Sequence, residues 1–224
     1  MISTSTTRKT VGFSRNRLLQ GLAGWYAAVW VWAAIAPLDR HDWLLENLLV
    51  VALVAILVGT YRVFPLSDLS YLLIAAFMTL HAIGSHYTYA QVPLGFWVRD
   101  AFGFSRNHFD RIVHFSFGLL MAYPIREVFL RVANTRGIWA YYLPLDVTLA
   151  FSALYEIMEM VIATLVAPGT GDAWLGTQGD VWDPQKDMGL AAAGALLCMV
   201  LTALIRRFRT PRPILLAGGM NETA

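Results

Sequence analysis

Apolar residues along the chain gather in six long runs, at 20–37, 47–64, 69–89, 109–125, 143–167 and 188–205, separated by polar, Pro- or Gly-bearing stretches. A helix needs about 20 mostly apolar residues to cross a bilayer, with about 17–25 tolerated, and each run meets that length. Strands are disfavoured, because an open strand in lipid leaves its backbone groups without partners. The breaks have local causes: Pro37 followed by Asp39-Arg40-His41-Asp42, then Pro65, then Pro168-Gly169, while Pro124 is placed to kink the fourth helix. The pattern predicts an all-α, polytopic membrane bundle of about six transmembrane helices. It consists of a basic segment at 1–19, a membrane domain at 20–205 and a basic tail at 206–224. Two intervening loops, 90–108 and 168–187, are long enough to hold structure of their own.

Composition strengthens the membrane assignment. Only 14% of the 224 residues are charged and 57% are hydrophobic, with 8 Trp, 9 Tyr and 12 Phe, and the mean hydropathy is +0.53. Ordinary soluble domains carry roughly 25% charged residues, and disordered chains are poor in aromatics. The single cysteine, Cys198, leaves no intrachain disulfide to form. The first 36 residues also have the outline of a signal peptide ending at Ala34-Ile35-Ala36. The following Pro37 and the long, Trp-bearing run favour an uncleaved first helix.

The pI near 8.8 gives no nucleic-acid signal, because the basic residues flank the apolar runs. With the N-terminus on the cytoplasmic side, twelve Lys and Arg fall inside and five outside (Arg40, Arg99, Arg106, Arg111 and Lys186). The positive-inside rule therefore predicts both termini in the cytoplasm of a bacterial inner membrane. Membrane lipids are the expected partners, and a homo-oligomer is compatible with the pattern.

The same topology sorts the ionisable residues by depth. Glu156 and Glu159 lie 11 and 8 residues before residue 167, roughly 16 and 12 Å below the outer end of the fifth helix. His81 is similarly deep on the third helix, and His86 lies closer to the surface. Asp110 starts the fourth helix with His114 one turn below it, and Asp187 starts the sixth, preceded by Asp180 and Asp183 in the loop. All gather in the outer halves of four consecutive helices, where a mid-bilayer carboxylate costs about 2.5–3.5 kcal/mol on insertion scales and must face partners in the bundle.

Two chemistries suit such a set. His81, His86, His114, Glu156, Glu159 and Asp187 are candidate ligands for a divalent metal, the cofactor the pattern allows. Alternatively His114, Glu156, Glu159 and Asp110 are candidate catalytic groups, one carboxyl kept protonated as acid and its partner ionised as base. Arg106 and Arg111, with Gln178, Asp180 and Asp183, are placed to hold a lipid headgroup, the arginines binding phosphate bidentately. Bland readings compete at every position. Asp110 suits the positive end of a helix dipole, the glutamates suit interhelical hydrogen bonds, and Gly189, Ala191–Ala193, Gly194 and Ala195 suit close helix packing. HExxH, GxSxG and P-loop motifs do not occur.

The strings YRVFPLSDLSYLL, LHAIGSHYTYAQVPLG, FGFSRNHFDRIVHFSFGLLMAYPIRE, SALYEIMEM and LGTQGDVWDPQKDM are long and unusual. Through them, residues 61–194 or so resemble the YjdF-like predicted inner-membrane proteins of bacteria, a family of unknown function. Asp110-Arg111-x-x-His114-Phe115, Glu156-x-x-Glu159 and Asp183-x-x-x-Asp187 are also similar to VanZ-like membrane proteins, which implies an envelope role. Glu159 and Asp187 stand where that pattern usually has Gln and Asn, so this chain carries extra carboxylates. Three functions stay open: action on a lipid or lipid-linked envelope headgroup from the periplasmic side, proton- or ion-coupled transport, and a non-catalytic structural or regulatory role. Transporters usually carry repeats and broken helices at the midplane, and the lack of both in this sequence favours the first over the second.

Overall fold

The computed structural model describes residues 12–165 and 176–209. Within them the chain forms a short 3-10 turn and then α1 (Arg17–Ala34), α2 (Arg40–Thr60), α3 (Asp68–His86), α4 (Pro93–Phe102), α5 (Phe109–Val132), α6 (Trp139–Leu165) and α7 (Asp183–Arg209). Five of these, α2, α3, α5, α6 and α7, are long and apolar enough to cross a membrane. The architecture is all-α. Most of the basic segment and tail, and the end of the fifth run, lie outside the described residues.

Polar side chains cap the helices where the sequence changes character. Asn16 accepts from the Leu19 N–H at 3.0 Å, and Ser67 from Ser70. Asp39 accepts from His41 at 2.7 Å and Asp42 at 3.0 Å. That last cap starts α2 seven residues before the predicted start at 47, because the polar stretch 40–46 forms about the first two turns of helix rather than a loop. α7 likewise begins at Asp183 instead of 188, and α5 continues through Pro124 to Val132. The 90–108 loop contains α4, opened by Pro93 and closed by Gly103 at φ +67°.

α1 is the first predicted run. Its Arg17, Gln20 and three Trp keep it below the hydropathy of the other five, yet it runs beside α3 along the whole of that helix. Phe13 meets Tyr61 at the end where α3 begins, Trp25 donates to Thr79 midway, and His86 meets the Ala33 carbonyl where α3 ends. It therefore traverses the same thickness as α3.

α5 sits centrally, packed against α3, α6 and α7. Its contact with α7 is parallel and very close. A Cβ on Gly118 would lie 1.9 Å from the Ala191 carbonyl oxygen, and one on Gly194 would lie 2.1 Å from that of Phe115. Small residues are what lipid-embedded helices need for such approach, since burial of apolar area gains nothing there. At the basic end, Glu127 of α5 accepts from the Ser67 N–H at 2.9 Å and the hydroxyls of Ser67 (2.7 Å) and Ser70 (2.6 Å), fastening α3 to α5. Between the ends lie apolar clusters, one built on Val50, Ile74, Met78 and Met121 and another on Ala122, Ala195, Cys198 and Met199.

Two outcomes follow from this packing. Gly118→Ala and Gly194→Ala should each destabilise the bundle by about 2–3 kcal/mol or more, read as a lowered melting temperature in detergent. Gly189→Ala, with nothing within 4 Å of its Cβ, should be neutral or slightly stabilising; equal losses at all three would refute the close contact. For orientation, reporter enzymes fused after Arg131 and after Trp174 should be active in the cytoplasm and the periplasm respectively, and the reverse would invert the topology.

Candidate functional site

The end of the bundle formed by the starts of α5 and α7 is polar from its surface to its middle. Its outer layer is a set of matched charges. Arg106, just before α5 and 8% exposed, grips Asp183 bidentately at 2.5 and 2.9 Å and donates to the Thr177 carbonyl at 2.9 Å. Arg111 reaches Asp180 at 2.5 Å and Asp183 at 2.7 Å, and Lys186 meets Asp180 at 2.5 Å. Asn107, fully buried, exchanges two hydrogen bonds with the Gln178 amide, at 3.0 and 2.9 Å. Residues 176–183 are thereby fastened over the start of α5.

Hydrogen bonds from Lys186, then from the Trp182 N–H and Arg111, hold the Asp180 carboxyl well below the usual carboxylate range. A folded value below the unfolded one stabilises the fold above the unfolded value, near pH 4, and that contribution is lost only as pH falls towards the folded value. Partial burial and then the Arg111 and Arg106 charges push His108 below the usual histidine value.

Beneath this layer His114 is ringed by carboxylates. Its Nε2 lies 3.6 Å from Asp110 Oδ1 and 3.5 Å from Glu156 Oε1. Asp110, His114 and Asp187 each offer one ligand atom within 4.8 Å of the others. Asp187 is 2% exposed. Its Oδ1 and the Glu156 Oε1 are buried and accept no hydrogen bond, an arrangement that calls for a cation or a proton. The α5–α7 contact creates this meeting: Asp187 lies one turn below Asp183 on the face of α7 that touches α5.

A second polar group adjoins the first. Glu46 of α2, 6% exposed, accepts from the Tyr155 hydroxyl at 2.9 and 2.8 Å. His81 lies 3.3 Å from the Glu46 carbonyl through Nε2, and the Tyr89 hydroxyl is 2.7 Å from its Nδ1. A tautomer with the proton on Nε2 satisfies both, with Tyr89 donating to Nδ1. Tyr89 reaches back because Thr88 and Tyr89 both adopt φ +50° and because Gly84 leaves room for the ring, which a Cβ there would strike at 2.4 Å. Burial, followed by the charges of Glu46 and Asp110, holds the Tyr89 hydroxyl well above the usual tyrosine value. Between the two groups lies a cavity of about 20 Å³ lined by Asp42, Glu46, Tyr89, Asp110 and Glu159, room for one water-sized occupant.

The structure thus brings Asp110, His114, Glu156 and Asp187 together, with Glu159 on the adjoining cavity. It separates others. His86 does not belong to the site: its Nδ1 is 3.0 Å from the Ala33 carbonyl and its ring stacks on Trp32 at 4.7 Å, so it joins α3 to α1. His81 pairs with Tyr89 and Glu46 rather than with His114. Asp183 is a helical residue, not a loop one. Arg106 and Arg111 already have carboxylate partners. Sequence reasoning missed Glu46, Tyr89, Tyr155 and Asn107. A signal for Glu46 existed, since Trp43, Glu46, Asn47 and Val50, all buried, share one helical face once Asp39 is read as a cap.

Comparison with known proteins agrees with this architecture. The family described as Predicted membrane protein (DUF2238) matches residues 18–208. The chain belongs to that family. It is 40% identical over 174 residues, 77% of this chain and 83% of the other, to Inner membrane protein YjdF of Escherichia coli (strain K12). The YjdF-like resemblance therefore holds over most of the chain, whereas these matches do not show the VanZ-like one. No solved structure matches. With its apolar helices, the chain is a multi-pass inner-membrane protein.

The outer layer yields an asymmetric expectation. Asp183→Asn leaves the buried Arg106 and the half-buried Arg111 sharing Asp180, whereas Arg106→Gln leaves Asp183 its bond to Arg111. Asp183→Asn should cost about 3–5 kcal/mol and Arg106→Gln clearly less, with the double variant well short of additive in unfolding measured in micelles. Additive losses would show that the pair is not coupled.

Proposed function

We propose that this protein binds a divalent cation at Asp110, His114 and Asp187 and acts with it on a lipid or lipid-linked envelope headgroup from the periplasmic side. The observation that supports this reading is the convergence of three carboxylates on one buried histidine, with Glu156 Oε1 and Asp187 Oδ1 accepting no hydrogen bond. A nitrogen-and-carboxylate set of this size suits Zn²⁺, Mn²⁺ or Mg²⁺. A cation there would polarise a phosphoryl or carbonyl oxygen and acidify a bound water. Glu156, in contact with His114, is placed to take the proton, and Glu159 and Glu46 extend the acidic wall behind it.

A second reading, proton-coupled transport, draws on the chain Tyr155–Glu46–Tyr89–His81. Below that chain lie the apolar clusters at Ile74, Met78 and Met121 and at Ala195, Cys198 and Met199, and beyond Glu156 the buried face of α6 continues with the hydroxyls of Ser152 and Thr148 rather than with ionisable groups. The one-sided site therefore favours the first reading.

Metal-stripped protein titrated with Zn²⁺, Mn²⁺ and Mg²⁺ should bind one cation, and His114→Ala or Asp187→Asn should weaken binding by more than about 100-fold. Affinity should fall from about pH 7 to about pH 5, because the ligands must lose protons to bind. Binding that is absent, or unchanged in both variants, would refute the cation site. A cation bound without turnover of phospholipid or lipid-linked phosphates would refute the enzymatic half alone.

A further inference from the structure

The basic end of the bundle carries a second cavity, remote from the acidic one. It lies where α5, α6 and α7 meet, has a volume of about 460 Å³, and is lined by Thr135, Arg136, Tyr141, Arg206 and Arg207 among others. That volume lies within the range of about 300–1,000 Å³ of small-molecule sites. Three guanidinium groups on one rim set its chemistry as anion-binding.

A neighbouring residue points the same way. Arg126 of α5 is 4% exposed, and its Nε and Nη2 donate no hydrogen bond. Its guanidinium lies 4.6 Å from the centre of the Tyr141 ring, a residue of the cavity wall. No carboxylate forms an ion pair with Arg126, Arg136 or Arg207 among the described residues. The Thr135 hydroxyl is buried at the same wall and also has no partner. Donors and positive charge at the edge of an apolar slab, with no acid paired to them, are what an anion completes. The arginines at the opposite end show the contrast, since Arg106 and Arg111 meet Asp180 and Asp183 directly.

We propose that this cavity is a binding site for a phosphate-bearing anion, in which Arg136 and Arg207 clamp the phosphate and Arg126 supplies positive charge from behind Tyr141. The phosphate belongs either to an acidic phospholipid headgroup entering from the bilayer or to a soluble phosphate compound; basic pockets between membrane helices commonly serve the former.

The test uses full-length protein in neutral detergent. Dioleoyl phosphatidylglycerol, dioleoyl phosphatidylcholine and inorganic phosphate are added separately, and the melting temperature is followed against concentration. The phosphatidylglycerol midpoint for Arg136→Gln/Arg207→Gln, whose two side chains are exposed and should not affect folding, is expected to shift at least tenfold upward. Arg15→Gln/Arg62→Gln, basic residues of the same end outside the cavity, should leave the midpoint unchanged. A response to phosphatidylglycerol but not to phosphate supports the lipid source, and a response to both supports the soluble one. No response to either anion, or equal responses to the phosphatidylglycerol and phosphatidylcholine lipids, overturns the site. So does an equal loss in the two double variants, which would reduce the effect to overall charge.

Discussion

The parallel, glycine-mediated approach of α5 to α7 is the constraint on which the rest of this bundle depends. Gly118 and Gly194 let the two backbones meet where any side chain would strike a carbonyl oxygen. Because the helices run in the same direction, their N-termini arrive at the same end of the bundle. Asp110 and His114 on one then face Asp183 and Asp187 on the other, one helical turn apart on each. Both sets of acids stand near the positive ends of helix dipoles, which offsets part of the cost of taking them out of water. A wider separation would leave Asp183 short of Arg106 and Asp187 short of His114, and the polar end would not assemble.

Two layers at that end obey different charge balances. Above, Arg106, Arg111 and Lys186 meet Asp180 and Asp183, and every charge has a partner within 2.9 Å. Below, Asp110, Glu156 and Asp187 surround one histidine, with Asp42, Glu46 and Glu159 nearby. The upper layer is complete as it stands and acts as a cover that fixes residues 176–183 on α5. The lower layer carries more acid than base, so protons or a metal must supply the difference. That imbalance, rather than burial alone, distinguishes a site from a structural ion pair.

Much of this was legible in the sequence because membrane burial makes ionisable residues conspicuous. Asp110, His114, Glu156, Glu159 and Asp187 stand out against apolar neighbours, and the 3.6-residue period places them on facing helices. Glu46 did not stand out, since it lies in the polar stretch Asp39–Glu46, which reads as a loop until the Asp39 cap is recognised. Tyr89 and Tyr155 were hidden for a different reason: in a chain with 9 Tyr nothing local marks the two whose hydroxyls reach Glu46. His86 misled because depth along a helix says nothing about which face the residue occupies. Here that face meets α1 and Trp32.

The distribution of polarity along the bundle axis also bears on mechanism. A transport path needs partners for a charge at every depth, whereas here the ionisable groups of the α5–α7 mouth give way to Ile74, Met78, Met121 and Met199, with only the hydroxyls of Ser152 and Thr148 buried on α6 beyond Glu156. At the far end, polar groups resume as Glu127 with its serines and as the arginines around Tyr141, but these face different neighbours and do not join the first set. These apolar clusters lie between the acidic end of the bundle and the basic one. A bundle with an acidic cavity at one end and a basic cavity at the other is suited to chemistry at its surfaces. Moving an ion past these clusters would require neighbouring helices to part, and at the α5–α7 contact the backbone approach at Gly118 and Gly194 leaves no room even for a Cβ.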